Sequence, residues 1–517
     1  MIRVSNIKLP IHDNDIKSAL IRKLGAEPGD IVSYKIAKKS IDARRKNDIK
    51  YIYSVDAEIK NSRKYLKLKD VSETEEFHYE YMTADFKKRP VVIGFGPAGM
   101  FAALILAECG ARPIVLERGK SVDERSKDVE KLKKSGILNP ESNIQFGEGG
   151  AGTFSDGKLT TGIKDKACRF VLETFAAFGA PEEILYLAKP HIGTDNLKRV
   201  VKKIRNRIIS LGGEVRFRSK VTGFDAGSGR LKGVFVSGDY IETDTAILAV
   251  GHSARDTFGV LHESGFPMEQ KPFAVGVRIE HLQKDIGFAC YGEEYKNLPA
   301  ASYKLVSHAG DRGVYTFCMC PGGEVVPAAS EEGMLVTNGM SEFARAGENA
   351  NSALLVGIPP DGSGNPLSGI ELQRRMERAA YTLGGGGYKA PVQLVSDFLA
   401  DRASRTLGSI YPTYKPGFTL CDLRECLPDK VAAALKAAIP DLGRRLGGFD
   451  RSDAVMTGVE SRSSSPVRII RNENKCSPLC TGLYPCGEGA GYAGGIVSAA
   501  ADGIHCAEAA IKLRTGC

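Results

Sequence analysis

Apolar positions recur along this chain in two rhythms, every second residue in some stretches and every third or fourth in others. The first run, Ile2–Leu9, alternates. A helix opened by Asp13 or Asp15 and stopped at Gly25 comes next, and Ile31–Ala37 and Tyr51–Ile59 alternate again. Residues 1–85 are therefore expected to form a small α/β unit in β-α-β-β order. The charged stretch Lys38–Lys50, with Lys38, Lys39, Arg44, Arg45 and Lys46, is expected to be a polar connection between its later strands. Thr83–Pro90 is polar and basic, and the pattern changes at Val91, which marks a linker. A strand, a glycine turn, the apolar helix Met100–Cys109 and the strand Pro113–Leu116 then follow in the βαβ order of a parallel sheet. Gly213–Phe217, Val221–Phe224, Leu231–Val236 and Thr245–Val250 read as a meander and a return strand, with Gly227-Ser228-Gly229 turning a hairpin. Residues 266–453 are irregular and rich in Gly and Pro, as in an inserted α+β domain. From 454 onward the chain returns to strand, glycine loop and the apolar helix Val497–Ala510.

A chain of 517 residues and 55.6 kDa exceeds one core, and 42% hydrophobic with 26% charged residues excludes wholesale disorder. The apolar run Met100–Ala107 is far short of the roughly 20 residues that cross a bilayer, and Met1–Asp13 lacks the core of a secretion signal, so a cytoplasmic protein is expected without membrane contact. Twelve dispersed cysteines without a C-x-x-C pair suit reduced thiols. Over Met1–Arg89, 20 Lys and Arg stand against 14 Asp and Glu, so six of the nine net positive charges lie in the first sixth of the chain. A solvated basic face accounts for this more simply than nucleic acid does.

The segment Arg89-Pro90-Val91-Val92-Ile93-Gly94-Phe95-Gly96-Pro97-Ala98-Gly99 carries the most specific chemistry. Gly94 permits the tight turn off the strand, Gly96 lets backbone approach a pyrophosphate, and Gly99 lets the helix pack on the sheet. The helix N-terminus favours the phosphates. Glu117, eighteen residues beyond Gly99, is placed to reach ribose hydroxyls and would repel a 2′-phosphate, so FAD or NAD is expected here rather than NADP. A second anion-ready helix start occurs at Pro485-Cys486-Gly487-Glu488-Gly489-Ala490-Gly491-Tyr492-Ala493-Gly494-Gly495-Ile496. FAD is long enough to need both, with Gly495 and Ile496 offering N–H groups to the isoalloxazine edge and Glu488 accepting from ribityl hydroxyls. A third cluster, Gln145–Lys158, has too many glycines for a surface turn and suits contact with phosphate or flavin, and Gly251-His252-Ser253 follows a strand expected to pass beside the cofactor.

On these residues the chain resembles the glutathione-reductase-type FAD superfamily, and more narrowly the bacterial FAD-dependent or NAD(FAD)-utilizing dehydrogenase family. The narrower likeness rests on Val92–Gly99 with Glu117-Arg118-Gly119, Phe146–Leu159, Lys189–Asp195, Tyr388–Gln393 and Pro485–Ile496 running on to Asp502-Gly503. The resemblance implies a Rossmann-like α/β FAD-binding domain in two parts, 86–265 and 454–517. These are split by an inserted substrate or cap domain over 266–453, with the small N-terminal domain in front. It also implies FAD contacts at Gly94, Gly96, Pro97, Ala98, Gly99, Glu117, Arg118, Gly149, Gly150, Gly152, Thr153, Val221, Gly251, Gly487, Glu488, Gly495 and Ile496. Glu488 stands where many members of the superfamily have Asp.

The dithiol of disulfide reductases is missing from Gly119–Leu138, and no second strand–G-x-G-x-x-G–helix offers a lasting nicotinamide site. Cys421-x₄-Cys426 reads as structural, and Cys318-x-Cys320 and Cys476/Cys480/Cys486 lack the histidine spacing of a metal site, so no metal is expected. The expected activity is that of an FAD-dependent oxidoreductase passing hydride through flavin N5 to or from a small-molecule substrate, with NADH or NADPH as a transient reductant. His252 and Arg278 are candidates for a general acid or an anion clamp. A flavin-dependent RNA-modifying enzyme and a non-catalytic flavoprotein sensor are the rival readings.

Overall fold

The computed structural model describes residues 1–308 and 310–515. The N-terminal unit is an antiparallel four-stranded sheet carrying one helix. Its strands are Ile2–Pro10, Ile31–Asp42, Lys50–Ile59 and the short Val71–Glu73, which pairs with the first. The helix Ile16–Leu24 begins where the Asp15 side chain accepts from the Ser18 N–H, and it ends at Gly25 in the left-handed region. The second strand runs to Asp42, so Lys38 and Lys39 belong to a strand rather than to a polar connection. Lys38 and Lys39 pair there with Ser54 and Tyr53 of the next strand, and the Lys39 ammonium lies 4.1 Å from the Tyr51 ring centre.

Beyond this sheet the chain is a strap. Phe77, Tyr79, Met82, Ala84 and Phe86 pack against the core of the following domain. Tyr79 stacks on Phe170 with ring centres 4.1 Å apart and donates to Glu508 at 2.7 Å.

The nucleotide-type domain is built on five parallel strands in the spatial order Leu483–Pro485, Ala246–Leu248, Val91–Ile93, Ile114–Leu116, Glu214–Arg216. All but the last are fully buried three-residue segments. Two helices press on one face. Pro97–Glu108 is apolar all round and buried from Ala98 to Ala107, and Ile496–Thr515 crosses it where a Cβ on Gly503 would meet the Ala98 carbonyl oxygen at 2.1 Å. The strand near Gly213 joins this parallel sheet rather than the meander. The meander is Val221–Asp225, Gly233–Val236 and Asp239–Glu242, whose last strand is a polar edge with too weak an apolar pattern to register in sequence.

The inserted region forms a seven-stranded sheet in the order Val306–Ser307, Val314–Cys320, Asn349–Ile358, Phe273–Leu282, Val455–Glu460, Ala390–Leu394, Phe418–Leu420. Val455–Glu460, expected from sequence to belong to the returning nucleotide part, lies inside this sheet, paired with both Phe273–Leu282 and Ala390–Leu394. Its six residues are all buried, and continuous burial gives a central strand the same apolar signature in either domain.

Charge fastens the two large domains together. Glu377, on the helix Ser368–Leu383 of the insertion, accepts from Arg255 at 2.7 and 2.9 Å, from Arg462 at 2.7 and 3.0 Å and from Ser461 at 2.6 Å. Arg255 opens the helix Arg255–Glu263 of the nucleotide domain, so the cluster spans the interface. All three side chains are essentially inaccessible. Against the cost of burial, the two guanidiniums hold the Glu377 carboxyl far below its usual 4.5. Replacing Glu377 by Gln leaves the buried Arg255 and Arg462 guanidiniums with Glu331 as their one remaining carboxylate, and a loss of about 3 kcal/mol is expected from chemical denaturation. Because the folded carboxyl titrates below the unfolded one, the Glu377 contribution is complete above about pH 4.5 and lost as pH falls below it. The stability difference between parent and Glu377→Gln should therefore shrink on acidification.

Candidate functional site: a cavity between the parallel sheet and the inserted domain

A cavity of about 1070 Å³ opens along the C-terminal ends of the parallel strands, at the upper limit of ordinary small-ligand pockets. Its floor is made by glycine loops remote in sequence. Gly94 leaves its strand at φ +94°, and a Cβ there would meet the Ala249 carbonyl oxygen at 2.4 Å. Gly150, at φ +60°, sits with its backbone against Gly96, and Gly149 donates from its N–H to the Phe95 carbonyl at 2.8 Å. A Cβ on Gly152 would lie 3.0 Å from the Ile496 side chain, so the loop near 150 touches both the first glycine turn and the last.

This middle loop is fixed by Arg125. Its guanidinium is fully buried and donates to the carbonyls of Asn143, Ile144, Gly147 and Glu148 at 2.7, 2.6, 3.2 and 2.7 Å. Burial pushes its pKa down to about 10, leaving it charged at neutral pH.

Thirteen of the seventeen expected cofactor positions meet at the cavity wall, Gly94, Gly96, Pro97, Ala98, Glu117, Arg118, Gly150, Gly152, Val221, Gly251, Glu488, Gly495 and Ile496, and the candidate His252 joins them there. Gly99, Gly149, Thr153 and Gly487 stand behind it. A Cβ on Gly99 would strike the Gly94 carbonyl oxygen at 2.0 Å, and one on Gly149 would strike the Thr153 hydroxyl, itself 3.4 Å from the Glu148 carbonyl. Gly487 donates to Asp502, whose carboxylate also pairs with Arg471 at 2.6 Å. Cys486 and Cys506 lie beside Asp502, a grouping that the Cys476/Cys480/Cys486 spacing did not suggest, and Arg471 already supplies the cation there.

Glu117 and Glu488 mark two different environments. Glu117 accepts from the backbone N–H groups of Phe95, Gly119 and Gly147 at 2.8, 2.8 and 2.9 Å, leaving about one of a carboxylate's four acceptor positions for a ribose hydroxyl. Arg118 beside it is bidentate to Asp256 at 2.9 and 3.0 Å and covers the Phe146 ring. The Glu488 carboxyl has no hydrogen-bond partner among the described residues. Burial and the Cys318 sulfur raise its pKa to about 7, while Lys271 pulls it back.

His252 and Arg278 do not have the roles expected of them. Burial, with Arg462 and Arg255 nearby, pushes the His252 imidazole down to about 3, which disfavours the imidazolium that a general acid needs at pH 7. Its Nδ1 lies 3.0 Å from the Ser253 hydroxyl. Arg278 is fully buried behind the wall, bound to Asn351, the Cys318 carbonyl at 3.0 Å and Glu460 at 3.4 Å, so it cannot clamp a ligand directly.

Sequence reasoning passed over other wall residues. The Lys158 ammonium faces the cavity with no hydrogen bond and only a loose 3.4 Å approach to Asp156, which Arg345 already holds. Lys271, Glu460, Arg462 and Cys318 come from the insertion and its flanks, where no spacing announces a site. Lys158 lay within the glycine cluster singled out in the sequence, and Cys318 was noted there only as part of Cys318-x-Cys320, for metal binding.

Residues 272–463 match the family model "FAD-dependent protein, C-terminal domain-like", and residues 1–58 match a domain of unknown function, DUF8436. Similar solved structures include the flavin-dependent brominase Bmp2 as a triple mutant, with 15% identity, 83% of this chain and 81% of that one covered, and a TM-score of 0.38. L-proline dehydrogenase from P. horikoshii is 15% identical, with coverages of 83% and 94% and a TM-score of 0.34. At such TM-scores neither residues nor reactions are transferred from them. FAD is the cofactor of this protein. The cavity fits that group: the helix starts at Pro97 and Ile496 both line it, its Glu488 carboxyl and Lys158 ammonium have no hydrogen-bond partner among the described residues, and a Cβ on Gly96 would meet nothing nearer than the Gly150 backbone at 3.6 Å.

Gly96 has an extended φ of −77°, which any residue adopts, and a Cβ there would find only the Gly150 backbone at 3.6 Å. Gly96→Phe should therefore fold like the parent, by circular dichroism, yet purify with less than about a tenth of its flavin, since the ring occupies the pyrophosphate position. A "Uncharacterized protein" of Clostridium beijerinckii is 51% identical over 525 aligned positions that cover 99% of this chain and 98% of that one, and this chain belongs to the same family.

Proposed function

We propose that the protein is an FAD-dependent oxidoreductase that exchanges hydride between its flavin and a small molecule bound in the cavity between the parallel sheet and the inserted sheet. One observation supports this above the others. A single continuous cavity is lined both by the dinucleotide turn Gly94–Ala98 and by charged groups drawn from the two domains, Lys158 of the middle glycine loop and Lys271 and Glu460 at the borders of the inserted sheet. Bound FAD supplies the two-electron chemistry of its isoalloxazine N5.

The protein's own residues do the rest. The positions proposed to hold the cofactor are those named in the sequence, with Glu117 at the adenosine end and Glu488, Gly495 and Ile496 at the ring end. The first N–H groups of the helices Pro97–Glu108 and Ile496–Thr515 offer themselves to negative charge. Lys158, with Asp156 oriented by Arg345, gives an anionic substrate a cation in a site where water is scarce. Glu460, raised to about 7 by burial and the Cys318 sulfur, can hold or release a proton near neutrality, a role that His252 cannot fill. The division into domains 1–85, 86–265, an insertion and a returning segment is kept in this reading, with the return placed after Glu460.

The rival reading as an RNA-modifying enzyme draws on the basic N-terminal unit. There, Arg3, Lys23, Lys35, Arg44, Lys50 and Lys64 are each paired with a carboxylate, which favours a solvated, internally neutralised surface.

Anaerobic stopped-flow mixing with NADH and with NADPH tests the proposal. One of them should bleach the flavin, and failure of both removes nicotinamide as the reductant. The donor is an anion, whereas Glu460 and Glu488 are neutral below about pH 7 and charged above it. The KM for the donor should therefore rise as pH passes upward through 7, by about fivefold for each carboxylate at about 1 kcal/mol of repulsion, with a smaller rise in Glu460→Gln.

A further inference from the structure

The strand Val314–Cys320 carries a β-bulge. Phe317 pairs with Ala353 and Cys320 with Asn351, so three steps on one strand face two on its neighbour. The extra residue is absorbed at Cys318, whose φ of +41° lies in the left-handed region that a non-glycine residue enters at a cost. The bulge turns Cys318 onto the cavity wall while Cys320 stays buried behind it.

The Cys320 thiol, two residues along the bulge, donates to the Cys318 carbonyl at 3.2 Å, and the two thiols shift each other's acidity. Arg278 reaches both residues, at 3.0 Å to the Cys318 carbonyl and 3.7 Å to the Cys320 sulfur. Lys158 contributes positive charge from the cavity side. The pair is thereby split: the Cys320 S–H, Lys158 and Arg278 pull the Cys318 thiol well below the ordinary range, and Cys320 is pushed well above it. The Cys421 and Cys426 pair has no such asymmetry. Cys421 and Cys426 are buried in the insertion core with both thiols raised to about 12 or beyond. The Cys318 sulfur also acts electrostatically on Glu488, a residue of the last glycine turn that shares the cavity wall with it.

We propose that Cys318 and Cys320 form a redox-active dithiol that exchanges an electron pair with the flavin, Cys318 being the sulfur that faces the cavity and Cys320 its buried partner. In the oxidising direction the Cys318 thiolate and the Cys320 thiol join in one S–S bond. The two electrons and the one proton released are taken up by FAD, and the reverse step breaks the bond and returns them. Glu460, in ion-pair contact with Arg278 and acted on by the Cys318 charge, is the carboxylate placed to receive the proton in transit. This rests on the cavity being the flavin site, as proposed above, but not on any particular nicotinamide or substrate.

The test uses the flavin-loaded protein. Anaerobic dithionite titration of the ferricyanide-oxidised holoenzyme should consume about four electrons per flavin, and Cys318→Ser or Cys320→Ser about two. Independently of flavin colour, non-reducing peptide mass mapping of the oxidised parent should find Cys318 linked to Cys320, and the reduced parent should show both alkylated. Uptake of about two electrons by the parent, with both cysteines alkylated in the oxidised sample, overturns the dithiol. If flavin bleaching by NADH and NADPH fails while the linked peptide and the four-electron uptake are found, the dithiol stands and the nicotinamide arm of the proposed function falls. If bleaching succeeds without them, the reverse holds. Should either variant fail to fold, the mapping of the parent decides alone.

Discussion

The site depends on one buried guanidinium holding one loop. Arg125 satisfies four consecutive-region carbonyls, Asn143, Ile144, Gly147 and Glu148, with a single planar fork. Without it, the Asn143 and Ile144 carbonyls would face a dry interior unpaired, at a cost of about 1–3 kcal/mol each, and Gly147 and Glu148 would keep only the Gly150 N–H and the Thr153 hydroxyl. Because they are held, Gly149 and Gly150 can lie against Phe95 and Gly96, and Gly152 can reach Ile496. The loop thus acts as a spacer of fixed thickness between the first glycine turn and the last. Its many glycines serve backbone contact on both sides, the opposite of a flexible surface turn.

That constraint explains why two glycine motifs almost four hundred residues apart can serve one elongated ligand. The parallel sheet sets the strand ends side by side, with Val91–Ile93 directly between Ala246–Leu248 and Ile114–Leu116 and with Leu483–Pro485 at the edge. Its strands are only three residues long, so the glycine turns begin near the middle of the domain and leave room above the sheet. The inserted sheet closes that room. The Arg255–Glu377–Arg462 cluster fixes the closure by a geometry in which every charge has a partner, and a buried charge left alone would be costly.

The nucleotide half of the site was legible in the sequence because its requirements are local. Gly94, Gly96, Gly99 and Glu117 express backbone approach and strand ends, which spacing alone encodes. The same holds for the N-terminal helix, whose limits at Asp15 and Gly25 are side-chain and backbone caps. The insertion was not legible. Lys271, Glu460 and Cys318 belong to three different segments brought together by sheet order, and Val455–Glu460 has the apolar run of any central strand. His252 and Arg278 were chosen by position along the chain. What sequence could not show was how deeply each is buried and which groups surround it, and these disfavour the imidazolium of one and turn the other inward.

The inward Arg278 is nevertheless placed to shape the chemistry of the wall. In one buried position it meets Glu460, Asn351 and both cysteines of the bulge. A positive charge shared between a carboxylate and a thiol couples their protonation. When Cys318 carries negative charge, the Glu460 pKa rises, and when Glu460 is ionised, the thiolate is less favoured. The wall therefore favours holding one negative charge beside Arg278 over two. Electron exchange at the thiols and proton exchange at the carboxylate are tied through the same guanidinium. A positioning residue deep in the insertion can in this way govern the cavity from behind its wall, and a left-handed Cys318 persists in the strand because the surrounding sheet and Arg278 over-determine it.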